Sequence, residues 1–150
     1  MDSPKIYIVD DSEDYSFLIK QIFHKFLPEY DVSFFAGGEM LLRRLFLPLN
    51  QNANELPSLV LLDLNMPVIS GYQTLKLLKT PADPNFGYLK LIPVIIMSNE
   101  ENIEQVADCY RAGANAFLKK PIEFNDLKEL LKSVCYFWLQ VNKGPDLKRQ

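Results

Sequence analysis

Aspartates stand where two apolar runs end: Asp10 and Asp11 directly after Ile6–Val9, and Asp63 directly after Leu59–Leu62. A carboxylate at the end of a buried strand is unfavourable unless another group makes use of its charge. Two further runs lead into Ser98 and Lys120. Three carboxylates, a hydroxyl and an ammonium suit phosphoryl transfer, in which catalysis is mostly positioning and neutralisation of charge. Carboxylates held close together repel one another, and low dielectric strengthens the repulsion. A hard divalent cation relieves it. Mg²⁺ suits such a site because it takes few carboxylates, keeps several waters and leaves room for a phosphate oxygen. Asp63, placed between the acidic pair and the Ser98–Lys120 side, is the expected nucleophile, since carboxylates can act as phosphate acceptors.

Taken singly, these residues have plainer readings. Asp10-Asp11 would serve as a helix N-cap, Ser98-Asn99 as the cap of the next helix, and Lys119-Lys120-Pro121 as a surface turn. Asp63 is harder to dismiss, because Asp-Leu-Asn-Met-Pro follows four consecutive apolar residues. The set gains meaning only if the fold gathers it at one edge.

The elements that would do so alternate. Ile6–Val9, Asp31–Phe35, Leu59–Leu62, Pro93–Met97 and Ala116–Lys119 read as strands. Between them lie stretches of helical period: Tyr15–Phe26, with Leu18, Ile19, Ile22, Phe23 and Phe26 facing inward, and about Glu39–Leu47. Ser70-Gly71-Tyr72-Gln73 fits a capping box that opens a helix running to about Lys79. Ile103, Val106, Ala107 and Tyr110 mark a fourth helix stopped near Gly113, and Phe124–Val141 a long last one. Five βα units argue for a doubly wound, flavodoxin-like parallel sheet with helices on both faces. Right-handed crossovers favour the strand order 2-1-3-4-5. Ligands then bind beyond the carboxyl ends of the strands, where strands one, three, four and five deliver Asp10-Asp11, Asp63, Ser98 and Lys120 side by side.

The 150 residues are expected to form a single domain, with its core over about 5–141 and 142–150 as a frayed tail. At 48% apolar and 23% charged, the chain reads as globular. Its net charge of −3 and scattered Lys and Arg offer no footprint for nucleic acid or an anionic membrane. No run has the length of a membrane span and the start lacks a signal-peptide pattern, so a cytoplasmic location is the expectation. Cys109 and Cys135 have no metal-ligand spacing and read as buried thiols, and His24 as a helix-surface residue.

Together, Val9-Asp10-Asp11, Leu62-Asp63-Leu64-Asn65-Met66-Pro67 with Gly71, Met97-Ser98, Ala112-Gly113-Ala114, and Phe117 through Lys120-Pro121 make the chain resemble a response-regulator receiver domain of two-component signalling. The resemblance spans about residues 5–141. It implies phosphorylation of Asp63 by a sensor histidine kinase, with Mg²⁺ held by Asp11, Asp63 and the backbone carbonyl of Asn65, and by Asp10 through water. Ser98 and Lys120 would bind the phosphoryl oxygens, and Phe117 would turn inward as Ser98 moves. Such domains often carry a cis peptide at the bond matching Lys120–Pro121. They are not enzymes that turn over a free substrate, although they help catalyse their own phosphorylation and dephosphorylation.

Asn99 stands where many receivers carry a small residue, and its bulk narrows the phosphodonor's approach. Leu47–Pro57 and Thr80–Ile92 are longer than in a minimal receiver and should lie on the edge opposite the chemistry. The second of these, with Tyr136, Phe137 and Trp138, resembles the stand-alone regulators paired with phytochrome-type histidine kinases. With no output domain in view, the signal is expected to leave by protein–protein contact. Phe124, Leu127, Leu130, Leu131, Val134, Trp138 and Val141 form the inward stripe of the last helix. Tyr136, Phe137 and Leu139 do not all fit that stripe, so some apolar area should face outward near the C-terminal end, as a surface for a homodimer or another partner.

Three rivals remain on the sequence. A haloacid-dehalogenase-type Mg²⁺ phosphohydrolase wants a second acid two residues after its nucleophile, and here Asn65 follows Asp63 and Ser12 follows Asp10. A receiver-like module that is never phosphorylated usually loses part of the acidic pair, the acceptor or the lysine, and all are present. In a flavin carrier, the Asp-Asp-Ser-Glu-Asp run would make a poor cradle for a phosphate.

Overall fold

The computed structural model describes residues 3–48 and 56–147. The strands are β1 (Lys5–Val9), β2 (Asp31–Phe35), β3 (Leu59–Asp63), β4 (Val94–Ser98) and β5 (Ala116–Lys119). All pair in parallel, in the order β2-β1-β3-β4-β5. The helices are α1 (Glu13–Phe26), α2 (Gly38–Leu45), α3 (Gly71–Lys79), α4 (Ile103–Arg111) and α5 (Phe124–Cys135). The expected doubly wound fold is the observed one.

Side chains of a strand alternate between its two faces, and so the sheet divides the core. Tyr7, Val9, Val60, Leu62, Val94 and Ile96 pack on one side with Leu41 and Leu45 of α2 and Leu75 and Leu78 of α3. Ile6, Ile8, Leu59, Leu61, Ile95 and Met97 pack on the other with Ile19, Ile22 and Phe23 of α1 and Leu127 and Leu131 of α5. Every residue of β3 and β4 is buried, as the uninterrupted apolar runs require for strands covered on both faces. The buried position of β3 places Asp63 at the middle of the carboxyl edge.

The helix starts follow from local chemistry. The Ser70 hydroxyl accepts from the Gln73 N–H at 3.1 Å, and the Ser70 N–H donates to Gln73 Oε1 at 2.9 Å, completing the capping box. At α1 the cap is Ser12, whose hydroxyl accepts from the Tyr15 N–H at 3.2 Å. Capping by Ser12 leaves the two preceding aspartates available for other work.

Several expectations of the periodicity need correcting. Phe26 is exposed, lying beneath the ammonium groups of Lys25 and Lys128. In α4 the stripe of Ile103 and Tyr110 faces solvent, 85% and 50% exposed, and Cys109 is the buried residue of the helix. Helical spacing shows that such a stripe exists, and tertiary packing chooses which face is down. The last helix is not continuous: α5 widens at Tyr136–Val141 into a π-helical segment. The wider turn shifts the facing of the residues beyond it. Val141 is therefore exposed, while Leu139 joins Trp138 against the core; Phe124, at the very start of α5, is exposed as well. Tyr136 and Phe137 point outward as expected, 61% and 50% exposed. Residues 142–147 are not a loose end, since Leu147 packs against the α2–α3 side of the core.

The segment Thr80–Ile92 holds a 3₁₀ helix (Pro84–Leu91) that buries Tyr88 and Leu89 and stacks Phe86 against Phe46 with ring centroids 5.1 Å apart. The other long segment, Leu47–Pro57, falls largely outside the described residues. Lys79 fastens the 3₁₀ helix to the sheet. Its ammonium donates to the carbonyls of Lys90 and Ile92 and to Asn115 Oδ1 at 2.9, 2.8 and 3.1 Å. Burial nevertheless lowers the Lys79 pKa from 10.5 to about 8. Below pH 8 both folded and unfolded chains carry the proton, and the penalty for burying the charge is fully present. Between 8 and 10.5 the folded chain releases its proton first, so Lys79 becomes less unfavourable to folding as pH rises. The stability of wild type relative to Lys79→Met is expected to increase across that window in denaturant titrations. A constant difference would show that the ammonium is as well solvated folded as unfolded. No helix among the described residues is long and apolar enough to cross a membrane.

Candidate functional site

The carboxyl edge of the sheet gathers Asp10, Asp11, Asp63 and Lys120. One oxygen from each of the three aspartates lies within 4.8 Å of the others. Asp10 and Asp63 are buried, whereas Asp11 opens to solvent and leaves the cluster accessible. The Lys120 ammonium sits between the two buried carboxylates, 2.7 Å from Asp10 Oδ2 and 3.1 Å from Asp63 Oδ1. Asp10 Oδ1 also accepts the Ser12 N–H at 2.9 Å. Lys120 is brought there by β5: its N–H donates to the Ser98 carbonyl at 2.7 Å, one residue past the last strand residue, Lys119. Lys119 is exposed and borders a groove with Val106, Ala107 and Phe117, away from the acids.

The electrostatics are unbalanced in favour of negative charge. Burial first, and then the neighbouring Asp10, push the Asp63 pKa up from 3.8 to about 6, against the opposing pull of Lys120. One ammonium does not fully offset two buried carboxylates and an exposed third. Carboxylate oxygens alone, with an open side for water, are the donor set of a hard divalent cation such as Mg²⁺ or Mn²⁺. The residues fit that ion.

The loop after Asp63 is closed by its own backbone. The Leu64 N–H reaches the Met97 carbonyl at 3.1 Å, and the Gly71 N–H returns to the Leu64 carbonyl at 2.8 Å. A Cβ on Gly71 would run into the Asp63 carbonyl oxygen and lie 2.7 Å from Leu64 Cα, so α3 begins almost on the Asp63 backbone. Val68 in the same loop has φ +68°, a left-handed conformation that is strained for a β-branched residue.

The family model of the response regulator receiver domain matches residues 6–132. The chain belongs to the response regulator receiver domain family. Receiver domains bind Mg²⁺ or Mn²⁺ at an acidic cluster of this kind. Among relatives, this receiver is 27% identical over 141 residues to the probable methanogenesis regulatory protein FilR2 of Methanothrix harundinacea, covering 93% of this chain and 86% of that one. The phosphorylated cyanobacterial phytochrome response regulator RcpA superposes with a TM-score of 0.79 at 27% identity, covering 95% of this chain and 98% of its own. Response regulator Rcp1 of Synechocystis, in its Mn²⁺-bound form, gives a TM-score of 0.75 at 27% identity over 95% and 99% of the two chains. The resemblance to phytochrome response regulators noted in the sequence is thus a measured similarity.

The other residues expected at the site from the sequence lie around this centre. Ser98, fully buried at the end of β4, accepts the Glu100 N–H at 3.2 Å. Among the described residues its hydroxyl makes no hydrogen bond to the side chain of Asp63 or Lys120. Asn65 is exposed two residues past Asp63, and Asn99 is exposed beside Ser98. Phe117 is half-buried and packs against the core from β5. The Lys120–Pro121 bond is trans, as are all peptide bonds among the described residues, correcting the cis expectation. Tyr15, assigned in the sequence only to the start of a helix, proves to be part of the site. Its ring centroid is 4.8 Å from Lys120 Nζ, and its hydroxyl donates to the Pro121 carbonyl at 3.4 Å. The one sequence signal was its place on the first turn of α1, directly after the acidic pair and its Ser12 cap.

Proposed function

We propose that this receiver accepts a phosphoryl group on Asp63 from a sensor histidine kinase in a Mg²⁺-dependent reaction and passes the signal to a protein partner. The observation that carries the reading is the buried Lys120 ammonium bridging Asp10 and Asp63, within the three-carboxylate cluster. Asp10, Asp11, Asp63 and the carbonyl of Asn65 would hold the ion. When bound, the ion neutralises the carboxylates and the incoming phosphoryl oxygens.

One Asp63 oxygen attacks phosphorus in line with the leaving group. The P–N bond of a phosphohistidine, or the P–O bond of acetyl phosphate, breaks with its electron pair on the leaving group. An aspartyl phosphate remains, and water later hydrolyses it to free carboxylate and phosphate. Lys120 and Ser98 hold phosphoryl oxygens, so that charge developing in the transition state meets fixed donors. The charged form of Asp63 is the nucleophile, and with its pKa near 6 it predominates at neutral pH.

The switch is a population shift, in which Phe117 turns inward as Ser98 moves and the face of α4, β5 and α5 changes. The outward stripe of Ile103 and Tyr110 on α4 supports a reading surface there. The similarity to RcpA and Rcp1 supports a phytochrome-type kinase as the donor. Tyr136 and Phe137 support a contact at the end of the last helix, with a second copy of the chain as its simplest occupant. The chain would act as one domain in the cytoplasm and would not turn over a free substrate.

The test is intact-mass measurement after mixing with acetyl phosphate. A single phosphate adduct is expected with Mg²⁺ and none after chelation, and Asp63→Asn should give none under either condition. Labelling of Asp63→Asn at the wild-type rate would sink the assignment.

A further inference from the structure

We propose that Tyr15 is a positioning residue for phosphoryl transfer, its ring and hydroxyl holding Lys120 over Asp63 when the lysine changes partners. The inference rests on the reading of Asp63 as phospho-acceptor.

Lys120 has three N–H donors. As the site stands, the lysine is bonded to Asp10 and Asp63, while the face of the Tyr15 ring lies 4.8 Å from its nitrogen. A donor becomes available to a phosphoryl oxygen only if Lys120 gives up one of its carboxylates. Ions held among Asp10, Asp11 and Asp63 weaken the same two contacts. At that moment a long side chain would otherwise regain its rotamer freedom.

The contact with Tyr15 does not depend on either carboxylate. Attraction between an ammonium and an aromatic face survives exchange of the other partners and strengthens out of water. The hydroxyl of Tyr15 meets the Pro121 carbonyl, so one side chain from α1 fixes both Lys120 and the turn that carries it. Tyr15 is itself held: its N–H donates to Ser12 Oγ, and its ring is half-buried against the α1–α5 side of the core. Burial, followed by the charges of Asp10 and Asp63, raises its phenol above the ordinary range. It therefore stays neutral and adds no fourth anion.

The experiment measures the labelling rate by acetyl phosphate against donor concentration for wild type, Tyr15→Phe and Tyr15→Leu. Tyr15→Met, which fills the space without a ring, repeats the test should leucine loosen the fold. Leucine is expected to lower the maximal rate roughly five- to thirty-fold, the value of one desolvated cation–π contact, with half-saturating donor and Mg²⁺ affinity (by calorimetry) within about twofold. Phenylalanine, lacking only the long hydroxyl contact, should recover the rate to within about threefold. Without metal, NMR should show the Lys120 ε-methylene protons shifted upfield by the ring in wild type and Phe, and not in Leu. A leucine variant labelled as fast as wild type, or a phenylalanine variant as slow as leucine, overturns the role of Tyr15. Wild type that takes no phosphate at all overturns the acceptor reading, and this role with it.

Discussion

Replacing Lys120 with methionine is expected to destabilise the metal-free protein by roughly 3–5 kcal/mol at pH 7.5, the usual result of stripping one partner from a buried ionic cluster. Methionine keeps the length of the stem, so the loss is one of charge and not of volume. Asp10 and Asp63 would be left buried beside each other, both of them within 3.1 Å of the missing ammonium. Two routes restore the balance. The first is protonation: Asp63 already titrates near 6 with Lys120 present, and losing the lysine raises it further. A carboxyl whose folded pKa exceeds its unfolded value favours folding as pH falls through that range. The deficit should therefore shrink between pH 7.5 and 5. The second is the metal, and millimolar Mg²⁺ should narrow the gap at pH 7.5 because the variant binds a cation with less competition. Phosphate labelling should nevertheless be lost if Lys120 meets the phosphoryl oxygens as proposed. Denaturant titrations at the two pH values, with and without Mg²⁺, separate these effects. A variant as stable as wild type at pH 7.5 without metal would show that solvent already relieves the acids.

Gly71→Ala is expected to be nearly as damaging without touching any charge. The added methyl would meet Asp63 and Leu64 backbone, atoms of a central strand that cannot rotate away. Overpacking of this kind costs about 3 kcal/mol. In a domain of this size that corresponds to a fall in Tm of roughly 6–12 °C. Any relief must come from moving α3 away from the end of β3, which moves the Asp63 carbonyl and the closing bond from the Gly71 N–H to Leu64. Labelling should slow even at temperatures where the variant is folded. Gly144→Ala is the matched control, because a Cβ there meets nothing within 4 Å. Equal melting temperatures for the two variants would mean the β3–α3 loop yields more easily than its geometry implies.

Much of this protein is decided by local pattern. Strand and helix alternation, the fully buried runs of β3 and β4, the Ser70 capping box and the placing of Asp10, Asp11, Asp63, Ser98 and Lys120 at strand ends are all properties of short windows. The parallel sheet brings four of those five residues into one cluster, because right-handed crossovers leave few other orders. Other features are set by contacts between segments far apart in the chain. Tyr15 and Lys120 are separated by more than a hundred residues, and nothing in either neighbourhood marks the ring as the ammonium's third partner. The outward turn of Ile103 and Tyr110 depended on which face of α4 met the sheet, and periodicity is blind to that choice. The π-helical turn after Cys135 reset the facing of Val141 and Leu139, and Leu147 found a place against the core that a polar tail gave no sign of. The elements and the chemical inventory are legible in short windows, because backbone geometry and burial act over a few residues. Orientation and partnership are not legible there, because they arise from packing energies shared among distant side chains.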